Sequence, residues 1–373
     1  MRRKRVMKNT QKNTQQLHEM GQSLWLDNIT RALLTSGTLS RYISELAVTG
    51  LTSNPTIFDL AIKNTGDYDE AIRKKAALGK SVEILFFELA LEDLIQAADL
   101  FRPVHDATDG VDGWVSLEVS PLLAEDTEAT IRDAVRLHAH AQRRNLFIKI
   151  PGTPAGLLAI EETIFAGVPV NVTLLFSREH YLAAAEAYLR GIERRIAAGL
   201  DPSVACVASI FISRWDAAVQ DRVSGALRNR LGIAIAARSY KAYRDLLASE
   251  RWQRLAACGA RPQRVLWAST GTKDPAAPDT LYVEALAAPL TINTVPEKTL
   301  LAFAEHGKVS KVLPIDASDA EATLAQFGRE GIHLDALATE LQIEGTAAFV
   351  RSWRDLMQRI ASKSAAPAKA DPV

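Results

Sequence analysis

Short apolar runs alternate with longer amphipathic stretches along almost the whole chain. Eight runs read as strands: residues 23–27, 46–50, 113–119, 146–150, 168–173, 204–211, 264–269 and 289–295. Several are near-continuously apolar, the pattern of parallel strands covered on both faces. Between them, apolar positions recur at helical spacing. In residues 81–102 the apolar positions include Ile84, Leu85, Leu89, Leu91, Leu94 and Ile95. Asp126 and Glu128 put negative charge at the start of a helix over 126–143, where the helix dipole favours it. Residues 178–199 read as a further helix, and 214–231 and 234–249 as two helices joined near Gly232. Pro296 opens one that runs through Glu305, at a position where its missing N–H is tolerated.

Alternating strands and helices imply the α/β class with a parallel sheet. Eight such pairs favour a single closed (β/α)8 TIM barrel with additional helices over an open doubly wound sheet. The barrel is expected over residues 17–361. Residues 1–16, opening on the basic Met1-Arg2-Arg3-Lys4-Arg5, read as a disordered arm, and the Ala-, Pro- and Lys-rich residues 362–373 as a disordered tail.

Composition narrows the function classes. Of 373 residues, 47% are hydrophobic and 24% charged, an ordinary globular balance. The 44 basic and 44 acidic residues cancel, which argues against a nucleic-acid partner but leaves room for an anionic small molecule. No apolar run approaches the roughly 18 residues of a membrane span, and no apolar segment follows the basic N-terminus as in a secretory signal. Cys206 and Cys258 form no CxxC pattern, so neither a disulfide framework nor a zinc site is expected, and a reducing cytoplasm is the simplest location. His138 and His140 lie two apart on a helix and do not share a face. No metal or other cofactor is therefore expected. Gly79-Lys80-Ser81 resembles the end of a phosphate-binding loop, but Lys74 stands where that motif needs glycine, so it reads as a turn between helices. Monomer and homodimer both remain open.

Candidate chemistry lies at the strand ends, where a barrel of this kind gathers its active site. Lys149 sits inside the apolar run Leu146-Phe147-Ile148-Lys149-Ile150-Pro151. Such a lysine either extends its head to water or, buried, favours its neutral amine and serves as a Schiff-base nucleophile. The other strand ends supply Asp27, Asn54, Glu118, Asn171, Thr173, Ser209 and Ser269, with Phe211 and Arg214 after the sixth strand and Lys273 after the seventh. Polar groups in apolar runs are costly unless they meet partners, and a barrel would bring these together. Asp27 and Glu118 could move the protons that iminium chemistry needs. Asn54, Asn171, Thr173 and Ser209 suit sugar hydroxyls. Arg214 and Lys273, with backbone N–H groups around Gly271, could hold a phosphate. Against this, Asp27 could be a helix N-cap, Glu118 a structural ion pair, and Arg214 and Lys273 solvated surface charges.

These stretches resemble the transaldolase family. The resemblance is carried by Ser23-Leu24-Trp25-Leu26-Asp27, Leu51-Thr52-Ser53-Asn54-Pro55-Thr56, Ser116-Leu117-Glu118-Val119-Ser120, Phe147-Ile148-Lys149-Ile150-Pro151-Gly152-Thr153, Val170-Asn171-Val172-Thr173-Leu174-Leu175-Phe176-Ser177 and Ala208-Ser209-Ile210-Phe211-Ile212-Ser213-Arg214, in that order. It extends from about Leu17 to Ile360, and the segments Trp267–Lys273 and Thr294–Thr299 are similar to a longer bacterial subfamily. It implies a metal-free barrel enzyme of the non-oxidative pentose phosphate pathway. Such an enzyme moves a dihydroxyacetone unit from fructose 6-phosphate or sedoheptulose 7-phosphate to erythrose 4-phosphate or glyceraldehyde 3-phosphate. By resemblance, Lys149 forms the Schiff base, Glu118 assists dehydration through a water, and Asp27 handles the proton of the hydroxyl released in cleavage. Asn54, Asn171, Thr173 and Ser209 line the donor site, with Phe211 beside them, and Arg214 and Ser269 match phosphate-binding positions. Shorter members carry an Arg soon after that serine; here Lys273 is the expected replacement. Fructose 6-phosphate aldolases are the competing reading, but they carry Gln and Tyr where this chain has Glu118 and Phe211. A non-catalytic sugar-phosphate-binding barrel would need neither Lys149 nor the two carboxylates.

Overall fold

Eight parallel strands close on themselves in chain order in the computed structural model, which describes residues 13–365. They are β1 (Ser23–Asp27), β2 (Val48–Thr52), β3 (Trp114–Glu118), β4 (Leu146–Pro151), β5 (Val170–Leu175), β6 (Cys206–Phe211), β7 (Gln263–Ala268) and β8 (Ile292–Val295). Closure comes from β1 pairing with both β2 and β8. The expected (β/α)8 barrel is thus the fold, with helices packed around it.

Side chains two apart on a strand share a face. That rule stacks the barrel interior in layers. Trp25, Trp114 and Phe147 lie below Asp27, Glu118 and Lys149 on the same strands. Trp114 stacks on Phe147 with ring centroids 4.1 Å apart, and Trp25 lies 6.2 Å from Phe147. Gly50 on β2 makes room for this plug: a Cβ there would stand 2.5 Å from the Trp25 ring. The indole N–H of Trp25 donates to the Asp112 carboxylate at 2.8 Å, so the plug is anchored from beneath. The aromatic plug therefore fills the interior beneath Asp27, Glu118 and Lys149, which stand at the C-terminal ends of their strands.

Local turn chemistry fixes where helices begin after the strands. Asn54, Asp126, Thr153 and Ser177 each accept a backbone N–H with their side chains at the start of helices Pro55–Asn64, Thr127–Ala141, Pro154–Phe165 and Arg178–Ala197. Ser81 does the same for Val82–Ala107, two residues after Gly79 in a left-handed turn, as the reading of Gly79-Lys80-Ser81 as a turn expects.

Several boundaries differ from the sequence expectation. β2 starts at Val48 rather than residue 46, because Leu46 ends a helix that Ala47 caps with φ 52°. β5 runs to Leu175 through an irregularity at which Leu174 has φ 59°. The expected helix over 214–231 is instead the short Ser213–Val219, and Gly232 is not a junction but lies inside Leu231–Ala248. The cause is Asp216, whose carboxylate accepts the N–H groups of Leu231 and Gly232 at 2.8 and 3.1 Å and so starts the second helix from outside. Of the expected arm and tail, residues 13–16 are in helix Asn13–Glu19 and residues 362–365 in helix Leu334–Ala365. The rest of both lies outside the described residues. Among the described residues no helix is long and apolar enough to cross a membrane.

Candidate active site

Nine of the eleven residues singled out from the sequence line one cavity of about 130 Å³ at the C-terminal mouth: Asp27, Asn54, Lys149, Thr173, Ser209, Phe211, Arg214, Ser269 and Lys273. The two others stand directly behind it. Glu118 is opposite Lys149 in the β3–β4 register, and Asn171 is opposite Lys149 in the β4–β5 register. Strand pairing alone therefore places an amine between a carboxylate and an amide.

Lys149 is buried, and its ammonium donates to the Ser53 carbonyl at 3.0 Å and reaches Glu118 Oε2 at 3.5 Å. Glu118 is buried too. Loss of hydration pushes its carboxyl above the ordinary value, and the Asp27 charge adds to this, while Lys149 and Arg214 oppose it. Asp27 is likewise raised by burial, against the pull of a Thr52 hydrogen bond, Lys149 and Lys273. It does not cap a helix: Thr30 does that for Arg31–Thr35.

Asn54 has two tasks. Its Oδ1 accepts the Ile57 N–H at 3.1 Å as an N-cap, while its Nδ2 has no partner among the described residues. Asn171 does not reach the cavity surface. It accepts from the Ser209 hydroxyl at 2.7 Å and donates to Ser116 Oγ at 3.2 Å, so it orients Ser209 from below. The Thr173 hydroxyl is buried without a partner among the described residues and lines the cavity, an arrangement that suits a bound ligand.

Beside these lies a cationic end. The Arg214 guanidinium packs 4.9 Å from the Phe211 ring and 5.9 Å from Phe349, and no described residue bonds it. Ser269 has φ 55°, and its hydroxyl is 3.0 Å from that of Ser213. Lys273 is exposed on the rim, in a loop pinned by the bond from Thr270 Oγ1 to the Thr294 carbonyl and by Asn229 on Asp274.

A family profile described as transaldolase/fructose-6-phosphate aldolase matches residues 24–360. The chain belongs to this family. Its relatives include a transaldolase of Arthrobacter sp. (strain FB24), 45% identical over 366 residues that cover 96% of this chain and 99% of the relative. A transaldolase of Thermobifida fusca (strain YX) is 46% identical over 94% of this chain and 98% of its own length. A protein called transaldolase 1 of Streptomyces avermitilis is 44% identical over 96% and 97%. In this barrel Asp27 and Lys149 line the cavity from the ends of β1 and β4, and Glu118 stands behind Lys149 at the end of β3.

The sequence reading passed over five cavity residues, of which Ala268 adds only a methyl group at the end of β7. Thr52 and Thr294 stand on β2 and β8, either side of Asp27, and were not distinguishable from ordinary strand threonines. Pro296 was seen only as a helix start. Phe349 comes from the helix Leu334–Ala365, where an aromatic at helical spacing reads as core.

Proposed function

We propose that this cavity catalyses transaldolase chemistry, with Lys149 as the Schiff-base residue. The observation that carries the reading is the convergence of the buried Lys149 amine, the buried Glu118 carboxyl and the half-buried Asp27 carboxyl, both carboxyls raised in pKa, around a cavity whose edge holds a guanidinium without a hydrogen-bond partner among the described residues. Carboxyls whose pKa burial raises, gathered in a concave site, are the groups an acid–base centre needs. The names of the relatives and the family support the same reading.

The neutral Lys149 amine attacks the C2 carbonyl of a ketose phosphate and forms a carbinolamine. Glu118, which keeps its proton to higher pH because it is buried, delivers that proton through a water to the departing hydroxyl. Loss of water leaves the iminium. Asp27 then takes the proton of the C4 hydroxyl, the C3–C4 bond breaks, its electron pair passes into the iminium, and an aldose phosphate leaves. The remaining dihydroxyacetone enamine attacks the aldehyde of an acceptor aldose phosphate, and the steps reverse. Asn54, Thr173 and Ser209 hold hydroxyls, Asn171 orients Ser209, and Arg214, Ser269 and Lys273 hold the phosphate. The donor is fructose 6-phosphate or sedoheptulose 7-phosphate, the acceptor erythrose 4-phosphate or glyceraldehyde 3-phosphate, and the site of action the cytoplasm. Phe211 in the cavity and Glu118 behind Lys149 favour transfer over release of free dihydroxyacetone.

Borohydride reduction with fructose 6-phosphate, followed by peptide mapping, tests this. A reduced dihydroxyacetone adduct on Lys149, discharged before reduction by added erythrose 4-phosphate, is the expected result. Release of free dihydroxyacetone without an acceptor would favour the aldolase, and no adduct despite demonstrated binding would favour a binding barrel.

A further inference from the structure

The C-terminal helix Leu334–Ala365 crosses the mouth of the barrel, and its cavity side carries Gln342, Gly345 and Phe349. These lie three and four residues apart, which is one face of a helix. Phe349 adds a second ring beside the Arg214 guanidinium, 5.9 Å from it, to that of Phe211 at 4.9 Å. Gly345 leaves the space the guanidinium needs: a Cβ there would stand 3.0 Å from Arg214 Nη1 and 3.0 Å from Leu174 Cδ2. Gln342 donates to the carbonyls of Gly152 at 3.1 Å and Leu174 at 3.0 Å, which follow the Lys149 strand and end the Thr173 strand. The far half of the same helix is fastened elsewhere. Ser352 bonds Thr56, Arg359 pairs with Asp59 at 2.6 Å, Lys363 pairs with Asp69, and Trp353 packs edge-on to Phe86.

An arginine with no hydrogen-bonded carboxylate loses much side-chain entropy if it is to wait in one place, and Glu118 and Glu344 act on Arg214 through their charge alone. Hydrogen bonds to a carboxylate would hold it but would also occupy the donors a ligand needs. Aromatic faces hold the cation while leaving its in-plane N–H groups free.

We propose that Gly345 and Phe349 are positioning residues, which hold Arg214 against two rings with its donors aimed at the phosphate of the substrate. Gln342 sets the height of the helix against the strand that carries Lys149. The binding distance between phosphate and amine is thus fixed by a segment far away in sequence. This rests on the phosphate role proposed for Arg214.

The test compares Gly345→Ala, Phe349→Leu and Arg214→Ala, each checked for an unchanged circular dichroism spectrum. Measured quantities are KM and kcat with fructose 6-phosphate and the inhibition constant of inorganic phosphate. Loss of one well-aimed charged contact is expected to raise KM and the phosphate inhibition constant by about tenfold in Gly345→Ala and Phe349→Leu, with a smaller effect on kcat. In an Arg214→Ala background, Gly345→Ala should add almost nothing, which a merely structural role would not produce. If Arg214→Ala raises both constants but Gly345→Ala and Phe349→Leu do not, or if the effects add in full, the positioning role is overturned and the phosphate role of Arg214 stands. If Arg214→Ala itself leaves both constants unchanged, the phosphate role fails and the positioning role fails with it.

Discussion

Thr52 holds Asp27: its hydroxyl donates to Oδ1 of the carboxylate at 2.7 Å. A hydroxyl has one hydrogen, so the 2.7 Å contact between Thr52 Oγ1 and Thr294 Oγ1 has Thr294 as donor when Asp27 is ionised. The chain Thr294–Thr52–Asp27 aims one carboxylate oxygen and favours its charged form. Thr52→Val should therefore raise the Asp27 pKa. A base works only when ionised, so the acid limb of the pH dependence of kcat/KM should move to higher pH. The plateau should fall by about tenfold, within the usual reach of an oriented acid–base group. A profile that keeps its limb while losing height would show that Thr52 only packs.

The same carboxylate burdens the fold. Burial raises its folded-state pKa above the unfolded value, so the native state binds more protons between those two values. Stability contributed at this site accordingly falls as pH rises from the ordinary Asp pKa of about 3.9 through the folded value, and stays lower above it. Asp27→Asn removes that burden. It should raise the melting temperature at neutral pH, by about 1 kcal/mol of stability, and should lose this advantage below the unfolded pKa while activity is abolished throughout. Melting curves at both pH values decide it.

The two tasks of Asn54 can be separated. Asp keeps the oxygen that caps the Ile57 N–H but lacks the amide donor, whereas Ala lacks both. Asn54→Asp should melt near the parent and lose most of its turnover. Asn54→Ala should lose turnover and also about 1 kcal/mol of stability. Equal melting temperatures for the two variants would show that the cap carries no weight here.

Lys273 acts from the rim, and its charge reaches Asp27. Lys273→Ala should raise KM for a phosphorylated donor by about three- to tenfold, because an exposed cation contributes modestly. It should also shift the acid limb of the pH profile upward, in the same direction as Thr52→Val. Lys273→Arg should preserve both. Raising the salt concentration should shrink the difference between parent and Lys273→Ala, since exposed charge is screened.

Much of this protein is written locally. β1 is found at residues 23–27 as read, because an apolar run bounded by turn residues can hardly be anything but a strand, and Lys149, Asn171 and Ser209 stand out because polar groups in such runs need partners. Boundaries slipped where a left-handed residue, not the hydrophobic pattern, ended an element, as at Ala47. The helix expected over 214–231 failed because Asp216 caps a segment fifteen residues away, which no local window contains.

The sequence by itself determined the alternation of strand and helix, and with it the set of strand ends from which chemistry could come. Continuous apolar runs along strands and capping residues after them act over a few neighbours, so they are legible one segment at a time. Tertiary structure decided which groups meet. Closure of the barrel sets β2 and β8 on either side of β1, so Thr52 and Thr294 can serve Asp27 together. It also buries Asn171 beneath Ser209, and the C-terminal helix brings Gln342, Gly345 and Phe349 to Arg214. Those contacts depend on packing between segments far apart in the chain, and an amphipathic helix does not announce which surface its buried face will cover.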